Sequence, residues 1–432
     1  MTYRSFRAWS FRVCARQGSA AFLLVVPSPG TSETLSELAT YALEHHPELR
    51  AREASVRAAG EATSPAHTWP DPQLSVGVMN VGATEWTVGS MDMAQASVQI
   101  AQEIPWRGKL GLSLEVAKAD VTQAEAALAG ARNRLAAEVA LAALDIYELD
   151  RTIRIESEIR DTYQEMVRAA EGRFAVGEAM QQDVVSMMLD VDMSTVEIND
   201  ARERRAALVA KLDGLLNRPV GAPFDSLTVA PLPSAPTDTA ALVARALEDQ
   251  PELARSRASV AQAEAMRELS LKNKVPNPMV MARYGNRGAK PGIYEIGVSI
   301  GLPVWSERRQ NAEVRQAAAM LDMRRREKSA AELETTSMVG SVVARLRANE
   351  RLLSAYGTAL LPRAKQVVEA SSAAYSVGQT SLIMVLDAVR KWHRLQREAL
   401  EYEVMQRRMF VELEQTLGHA ARIADGTASY VR

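Results

Sequence analysis

Cysteine is almost absent from this chain. Cys14 is the only one in 432 residues, which excludes an intrachain disulfide and any CxxC pair for redox chemistry or zinc. The five histidines, His45, His46, His67, His393 and His419, form no HxxxH or HExxH pair, so no helix-borne metal site is expected. Nucleophile elbows and phosphate loops are missing too, which leaves no enzyme and no cofactor to expect. Charge of one sign is also lacking. The formal net charge is −2, so nothing marks a nucleic-acid partner. No run of 18 apolar residues occurs, and a transmembrane helix is not expected.

Proline is absent from one very long stretch, Trp106 to Phe174, where glycine appears only at 108, 111, 130 and 172. Such a segment would make a helix of about 100 Å at the usual rise per residue. A periodic pattern of that length belongs to a coiled coil or helical assembly. Leu114, Ala117, Val121, Ala124, Leu128, Ala131, Leu135, Val139, Ala142, Ile146, Leu149 and Ile153 recur at three- and four-residue steps. Alanine in the seam lets helices approach closely but buries little area. The rod therefore needs partners on more than one side.

The chain repeats itself. His46-Pro47-Glu48-Leu49 recurs as Gln250-Pro251-Glu252-Leu253, and Asp71-Pro72 as Asn277-Pro278. Ile104-Pro105-Trp106 recurs as Leu302-Pro303-Val304-Trp305, and Phe174-Ala175-Val176-Gly177 as Tyr375-Ser376-Val377-Gly378. The offset stays between 198 and 206 residues. Each half reads as helix, two strands, a very long helix, a break and a further helix. The expected helices are 34–64, 107–173 and 180–217, then 238–273, 306–373 and 380–418. The organisation is a first repeat over 34–218, a linker over 219–237 with five prolines, a second repeat over 238–418 and a tail over 419–432. Pro47 and Pro251 should interrupt the first helix of each half, and Pro362 should kink the second rod. Thr237 or Asp238 should cap the helix after the linker.

Four short segments alternate as strands. Ile296, Val298, Ile300 and Leu302 take one face, with Glu295, Gly297, Ser299 and Gly301 on the other. Gln73–Val78, Ser97–Ala101 and Met279–Tyr284 follow suit, with Arg283 opposite Val280 and Ala282. The alternation fits a half-buried sheet in a soluble protein or strands between lipid and a wet lumen. Trp69, Trp106, Trp305, Tyr284 and Tyr294 lie near strand ends, as in the aromatic belts of membrane proteins. Four strands cannot close a barrel, and open edges are excluded from lipid. Three copies would supply twelve strands.

Arg4, Arg7, Arg12 and Arg16 precede a short apolar run, Ala20 to Val26. Residues 1–30 thus resemble a secretory leader or form a basic tail. Pro27-Ser28-Pro29-Gly30 is no small-x-small cleavage site, and Phe11-Arg12-Val13 before Cys14 is no lipobox. Among 18 methionines, Met187-Met188 and Met91-x-Met93 are the tightest groups. Thioethers bind soft metals, but methionine serves more often as core filler.

Gln102-Glu103-Ile104-Pro105-Trp106-Arg107-Gly108-Lys109-Leu110 resembles the strand-to-helix junction of TolC-like outer-membrane efflux factors, in particular their heavy-metal (RND) branch. Tyr375-Ser376-Val377-Gly378-Gln379-Thr380-Ser381 with Val385-Leu386-Asp387-Ala388 is similar to the family's periplasmic tip, and Arg173-Phe174-Ala175-Val176-Gly177 to its counterpart. The resemblance covers residues 34–420. It implies a mainly α chain with a small β part, assembled as a homotrimer in the outer membrane of a Gram-negative cell. Twelve strands would form the barrel in outer-membrane lipid, and twelve helices a tunnel into the periplasm. Its implied partners are a periplasmic adaptor and an inner-membrane RND transporter. The docking tip would comprise Arg173, Phe174, Val176, Gly177, Tyr375, Val377 and Gly378, and Trp106 and Trp305 would sit at the membrane interface. Asp387 matches a pore-entrance acid of the family, whereas Met384 stands where another aspartate is common. Asp183 occupies the position equivalent to Met384 in the first repeat. Divalent heavy metals are the implied cargo. A multidrug or type I secretion duct has the same architecture, and a soluble coiled-coil scaffold is the alternative of another class.

Overall fold

A computed structural model describes residues 33–81, 87–89 and 91–423. The basic leader with Cys14, and residues 424–432 of the tail, lie outside the described residues. In chain order the elements are β1 (Glu33–Thr34), α1 (Leu35–His45), α2 (Pro47–Glu61), α3 (Thr63–His67), β2 (Gln73–Met79) and β3 (Gln95–Glu103). The rod α4 (Lys109–Ala175) and α5 (Gln181–Leu216) follow, then β4 (Leu227–Thr228), α6 (Thr239–Asp249) and α7 (Pro251–Lys272). The chain continues with β5 (Pro278–Arg287), β6 (Lys290–Ile300), α8 (Gln310–Ala355), a π-turn (Tyr356–Leu360), α9 (Leu361–Ser376) and α10 (Leu382–Thr416). A 3-10 turn, Ala420–Ile423, ends the described chain.

The helix expected over 34–64 is divided. Pro47 and Pro251 each take a first-turn position, where a missing N–H costs nothing. The residue before each proline is extended and caps the new helix. His46 Nδ1 accepts from Glu48 N at 3.3 Å, and Gln250 Oε1 accepts from Glu252 N at 2.8 Å. His46 is thus a cap, and His45 Nδ1 lies 2.9 Å from the Tyr41 carbonyl. Asp238 caps α6 by accepting from Ala241 N at 2.9 Å.

In the second rod the proline effect is displaced upstream. Pro362 has no N–H for the helical bond to Thr358, and the chain widens before it into the π-turn, where Leu361 N donates to Tyr356 O. The turn is held from α10, since Tyr356 OH donates to Glu398 at 2.8 Å. The rod α4 carries no such interruption.

The four longer strands form one antiparallel sheet in the order β2-β3-β5-β6. The central β3–β5 pairing joins the two halves, with Val98 opposite Tyr284 and Ile100 opposite Ala282. Leu74, Ile100, Ala282 and Ile296 form one cross-strand row, and Val76, Val98, Tyr284 and Tyr294 the next. This face is bare of protein, with Ile296 83% exposed. The opposite face carries the row Ser75, Gln99, Arg283 and Glu295. There Arg283 donates to Gln99 at 2.9 Å through Nε and pairs with Glu295 at 2.8 Å. Among the described residues, the outer edges of β2 and β6 have no strand beside them.

Sheet and rods meet at a polar joint. Lys109 is buried and donates through Nζ to Val275 O at 2.6 Å and Asn277 Oδ1 at 2.8 Å. Asn277 also donates to Glu103 at 2.6 Å and accepts from Trp106 N at 3.0 Å. Burial pushes the Lys109 ammonium below its usual pKa.

Further along the rods, the proline-rich linker packs against them. β4 pairs in parallel with β1, and Arg347 donates to Pro236 O at 3.0 Å. Residues 415–423 return here. Buried Asn133 donates to Gln415 O and accepts from Ala420 N, both at 2.8 Å. The core lies along the α4 seam, where Leu135, Val139, Ala142 and Ile146 meet Leu38, Leu212 and Leu216.

Gly418 has φ +80, and a Cβ there would lie 2.8 Å from Asp249 O and 2.7 Å from Pro251 Cδ. Gly418→Ala should cost roughly 1–2 kcal/mol through left-handed backbone alone, and more through the contact, read as a lower melting temperature. Nearby Glu414 is buried, and desolvation raises its pKa against the pull of Arg245 and Arg422. Its stabilising contribution is full below the unfolded carboxyl pKa and fades as pH rises through the folded value. Glu414→Gln should therefore raise the melting temperature more at pH 8 than at pH 4.

Candidate functional site

The far end of the rods, away from the sheet, consists of two helix hairpins. Each turns by the same device. Gly177 (φ +80) ends α4, and Gly378 (φ +77) ends α9. Glu178 N donates to Arg173 O at 2.8 Å and Gln379 N to Ala374 O at 2.9 Å, closing the long loop of a Schellman cap. Glycine adopts this left-handed backbone without the strain that an L side chain would bring. Val176 and Val377, the residues before each glycine, are 70% and 67% exposed. Phe174 is also exposed. Each hairpin thus carries an apolar knob at its end.

The two ends touch. Arg173 reaches across to donate to Tyr375 O at 3.2 Å, and its guanidinium stacks over the Tyr375 ring at 4.6 Å from the centroid. Glu178 holds the same guanidinium at 3.5 Å. Beneath them, Val184 and Met187 of α5 pack with Leu382, Val385, Leu386 and Val389 of α10 around Ile159 and Tyr163. Met187 is core and its neighbour Met188 is exposed, so the pair does not form a chelate.

Asp183 lies in the first turn of α5, where the helix dipole favours a carboxylate. Asp387 lies on the exposed side of α10. Among the described residues neither side chain makes a hydrogen bond or ion pair. No three His, Cys, Asp or Glu side chains among them are grouped to hold a metal ion. At the opposite end, Trp106 and Trp305 are exposed and follow β3 and β6 on the rod-side rim of the sheet. Trp69, before β2, joins the same rim.

Sequence reasoning overlooked a charged ladder above the tip. Asp190 of α5 pairs with Arg390 of α10 at 2.7 Å. Glu156 of α4, only 1% exposed, receives His393 at 2.9 Å and Arg397 at 3.2 Å. Arg397 lies 3.9 Å from Glu197. The rungs border a groove of about 570 Å³. Burial, with Asp190 adding to it, pushes the Tyr163 phenol up to about 12. One signal was available. Asp190 and Arg390 are 200 residues apart, within a residue of the repeat offset at the tip, so near-equivalent positions carry opposite charges.

The sequence matches the family described as Outer membrane efflux protein over residues 38–218 and 242–419. It is 24% identical over 409 residues to Outer membrane protein TolC of Vibrio cholerae, covering 86% of this chain and 87% of that protein. It is 26% identical over 339 residues to the Nickel and cobalt resistance protein CnrC of Cupriavidus metallidurans, covering 75% of this chain and 78% of that one. Among solved structures, the outer-membrane channel OprN superposes with a TM-score of 0.77 at 16% identity, over 89% of this chain and 90% of that one.

Glu156→Gln removes the charge that faces both His393 and Arg397. Arg397 reaches solvent, so the loss should be about 2 kcal/mol, the scale of one charged hydrogen bond. Chemical denaturation of the purified protein reads it, and an unchanged midpoint would show that the ladder adds nothing to stability.

Proposed function

The chain belongs to the outer membrane efflux protein family, and on that footing we propose that it is the exit duct of a cation-exporting pump. It is a channel protein of the outer membrane that extends into the periplasm, and not an enzyme. Channels of this kind work as trimers with a periplasmic adaptor and an inner-membrane RND pump. The family match sets aside the soluble scaffold. Our reading adds the cargo, divalent heavy metals, and the parts that serve it.

One observation carries the cargo assignment. Among the described residues, Asp183 and Asp387 leave two carboxylates without protein partners near the tip. In three copies they become rings at the tunnel entrance, and clustered carboxylates in a narrow mouth raise the local cation concentration. The relative named for nickel and cobalt resistance supports the same reading. Arg173, Phe174, Val176 and Gly177, with Tyr375, Val377 and Gly378, form the adaptor seat. Its exposed valine and phenylalanine side chains suit an apolar partner surface. Trp106 and Trp305 stand at the membrane–water interface on the periplasmic side. Residues 34–218 and 238–418 act as the two repeats. The segment 219–237 and the tail 419–432 act as the belt, and 1–30 as the export leader.

Gene deletion tests the cargo. Growth is measured against zinc, cadmium, cobalt, nickel, copper and silver, beside dyes, bile salts and antibiotics. Hypersensitivity confined to metals is expected, and hypersensitivity confined to organic compounds would assign the duct to drugs or secretion instead. In planar bilayers, Asp183→Ala with Asp387→Ala should lower the cation-to-anion permeability ratio by roughly twofold or more. An unchanged ratio would sink the acidic rings.

A further inference from the structure

Beside the π-turn lies a groove of about 430 Å³, within the roughly 300–1,000 Å³ range of small-molecule sites. Its walls come from three elements: α4, the joint between α8 and α9, and α10. Gly357 and Ala399 contribute almost no side-chain bulk, and a Cβ at Gly357 would meet nothing within 4 Å. The apolar floor is made by Ile155, Leu353, Leu361 and Leu400, of which Ile155 and Leu400 are buried.

Arg151 and Arg154 of α4 line the same groove, one helical turn apart. Among the described residues neither forms an ion pair or hydrogen bond, and the Arg151 Nε is buried without a partner. Elsewhere in the rods some guanidiniums are occupied, Arg397 by Glu156, Arg407 by Glu403 and Arg408 by Asp145. Two carboxylates also border the groove. Glu403 is already engaged, by Arg407 at 3.0 Å and by the Tyr147 hydroxyl at 3.0 Å. Glu158 is exposed. Cationic capacity therefore remains above an apolar floor, next to a π-turn of the kind that recurs at functional sites.

We propose that this groove binds a small amphipathic organic anion. Its carboxylate or sulfonate sits on Arg151 and Arg154, and its apolar body fills the space over Gly357. Guanidinium is the side chain best shaped for such planar or trigonal oxyanions. The site is separate from the tip and independent of which cargo the duct carries. A carboxylate of a neighbouring copy offers the same chemistry, and the experiment separates the two sources.

The full-length protein in amphipol is titrated with 8-anilinonaphthalene-1-sulfonate, and with N-phenyl-1-naphthylamine as its neutral counterpart. A saturable sulfonate site is expected. It should weaken at least about tenfold, or some 1.4 kcal/mol, in Arg151→Gln/Arg154→Gln. Gly357→Leu, which fills the groove without touching the arginines, should weaken it likewise. The naphthylamine should bind more weakly and ignore the arginine exchange. Light scattering and circular dichroism report assembly and folding of each variant. Equal binding in wild type and both variants overturns the proposal, as does equal loss of the neutral dye. Absence of any saturable site in the wild type also overturns it. If the arginine variant then falls apart into smaller species, a neighbouring copy's carboxylate holds the groove.

Discussion

A backbone N–H or C=O group without a partner cannot remain in hydrocarbon, and the rest of this structure follows from that constraint. The sheet turns its apolar rows outward, with Leu74, Val76, Val98, Ile100, Ile296 and Val298 bare of protein. Yet β2 and β6 end it on both sides with open edges. A single chain therefore holds a surface made for lipid and a border that lipid rejects. Closing the border with the β2 edge of one copy against the β6 edge of the next resolves the conflict without adding a residue. Arg283, paired to Glu295 and Gln99 on the other face, then belongs to the wet interior.

The helices obey the same requirement in water. The α4 seam buries Leu135, Val139 and Ile146, while α9 buries no residue at all. Alanine-rich seams permit close approach but yield little apolar area, at about 25 cal/mol per Å². The second rod is accordingly the one left most in need of neighbouring copies. Within one chain, the polar joint of Lys109, Asn277 and Glu103 couples sheet to rod.

Much of this was legible in the sequence because it depends on local rules. Pro47 and Pro251 mark helix starts wherever they fall, and Gly177 and Gly378 mark left-handed caps. Strict alternation assigned the faces of the strands, including the isolated Arg283. What escaped depends on long-range placement. Two residues of β1 gain strand character only by meeting β4. The contact of Arg173 with Tyr375 joins positions 202 residues apart. The ladder of Glu156 with His393 and Arg397 joins helices whose charges read as solvated faces when each is taken alone. Pro362 announced a disturbance, but its form, a widened turn upstream, depended on Tyr356 reaching Glu398.

The π-turn also has a bearing on symmetry. Both rods contain 67 residues, Lys109–Ala175 and Gln310–Ser376, so by length the two hairpins look interchangeable. A widened turn takes up about one extra residue, and one residue turns an α-helix by about 100°. Below Tyr356 the second rod therefore presents a different set of side chains than a straight copy of the first would. Two hairpins per chain in three copies make a ring of six ends that is sixfold in outline and threefold in chemistry. Around such a ring two kinds of hairpin end alternate, one reading Phe174-Ala175-Val176-Gly177 and the other Tyr375-Ser376-Val377-Gly378.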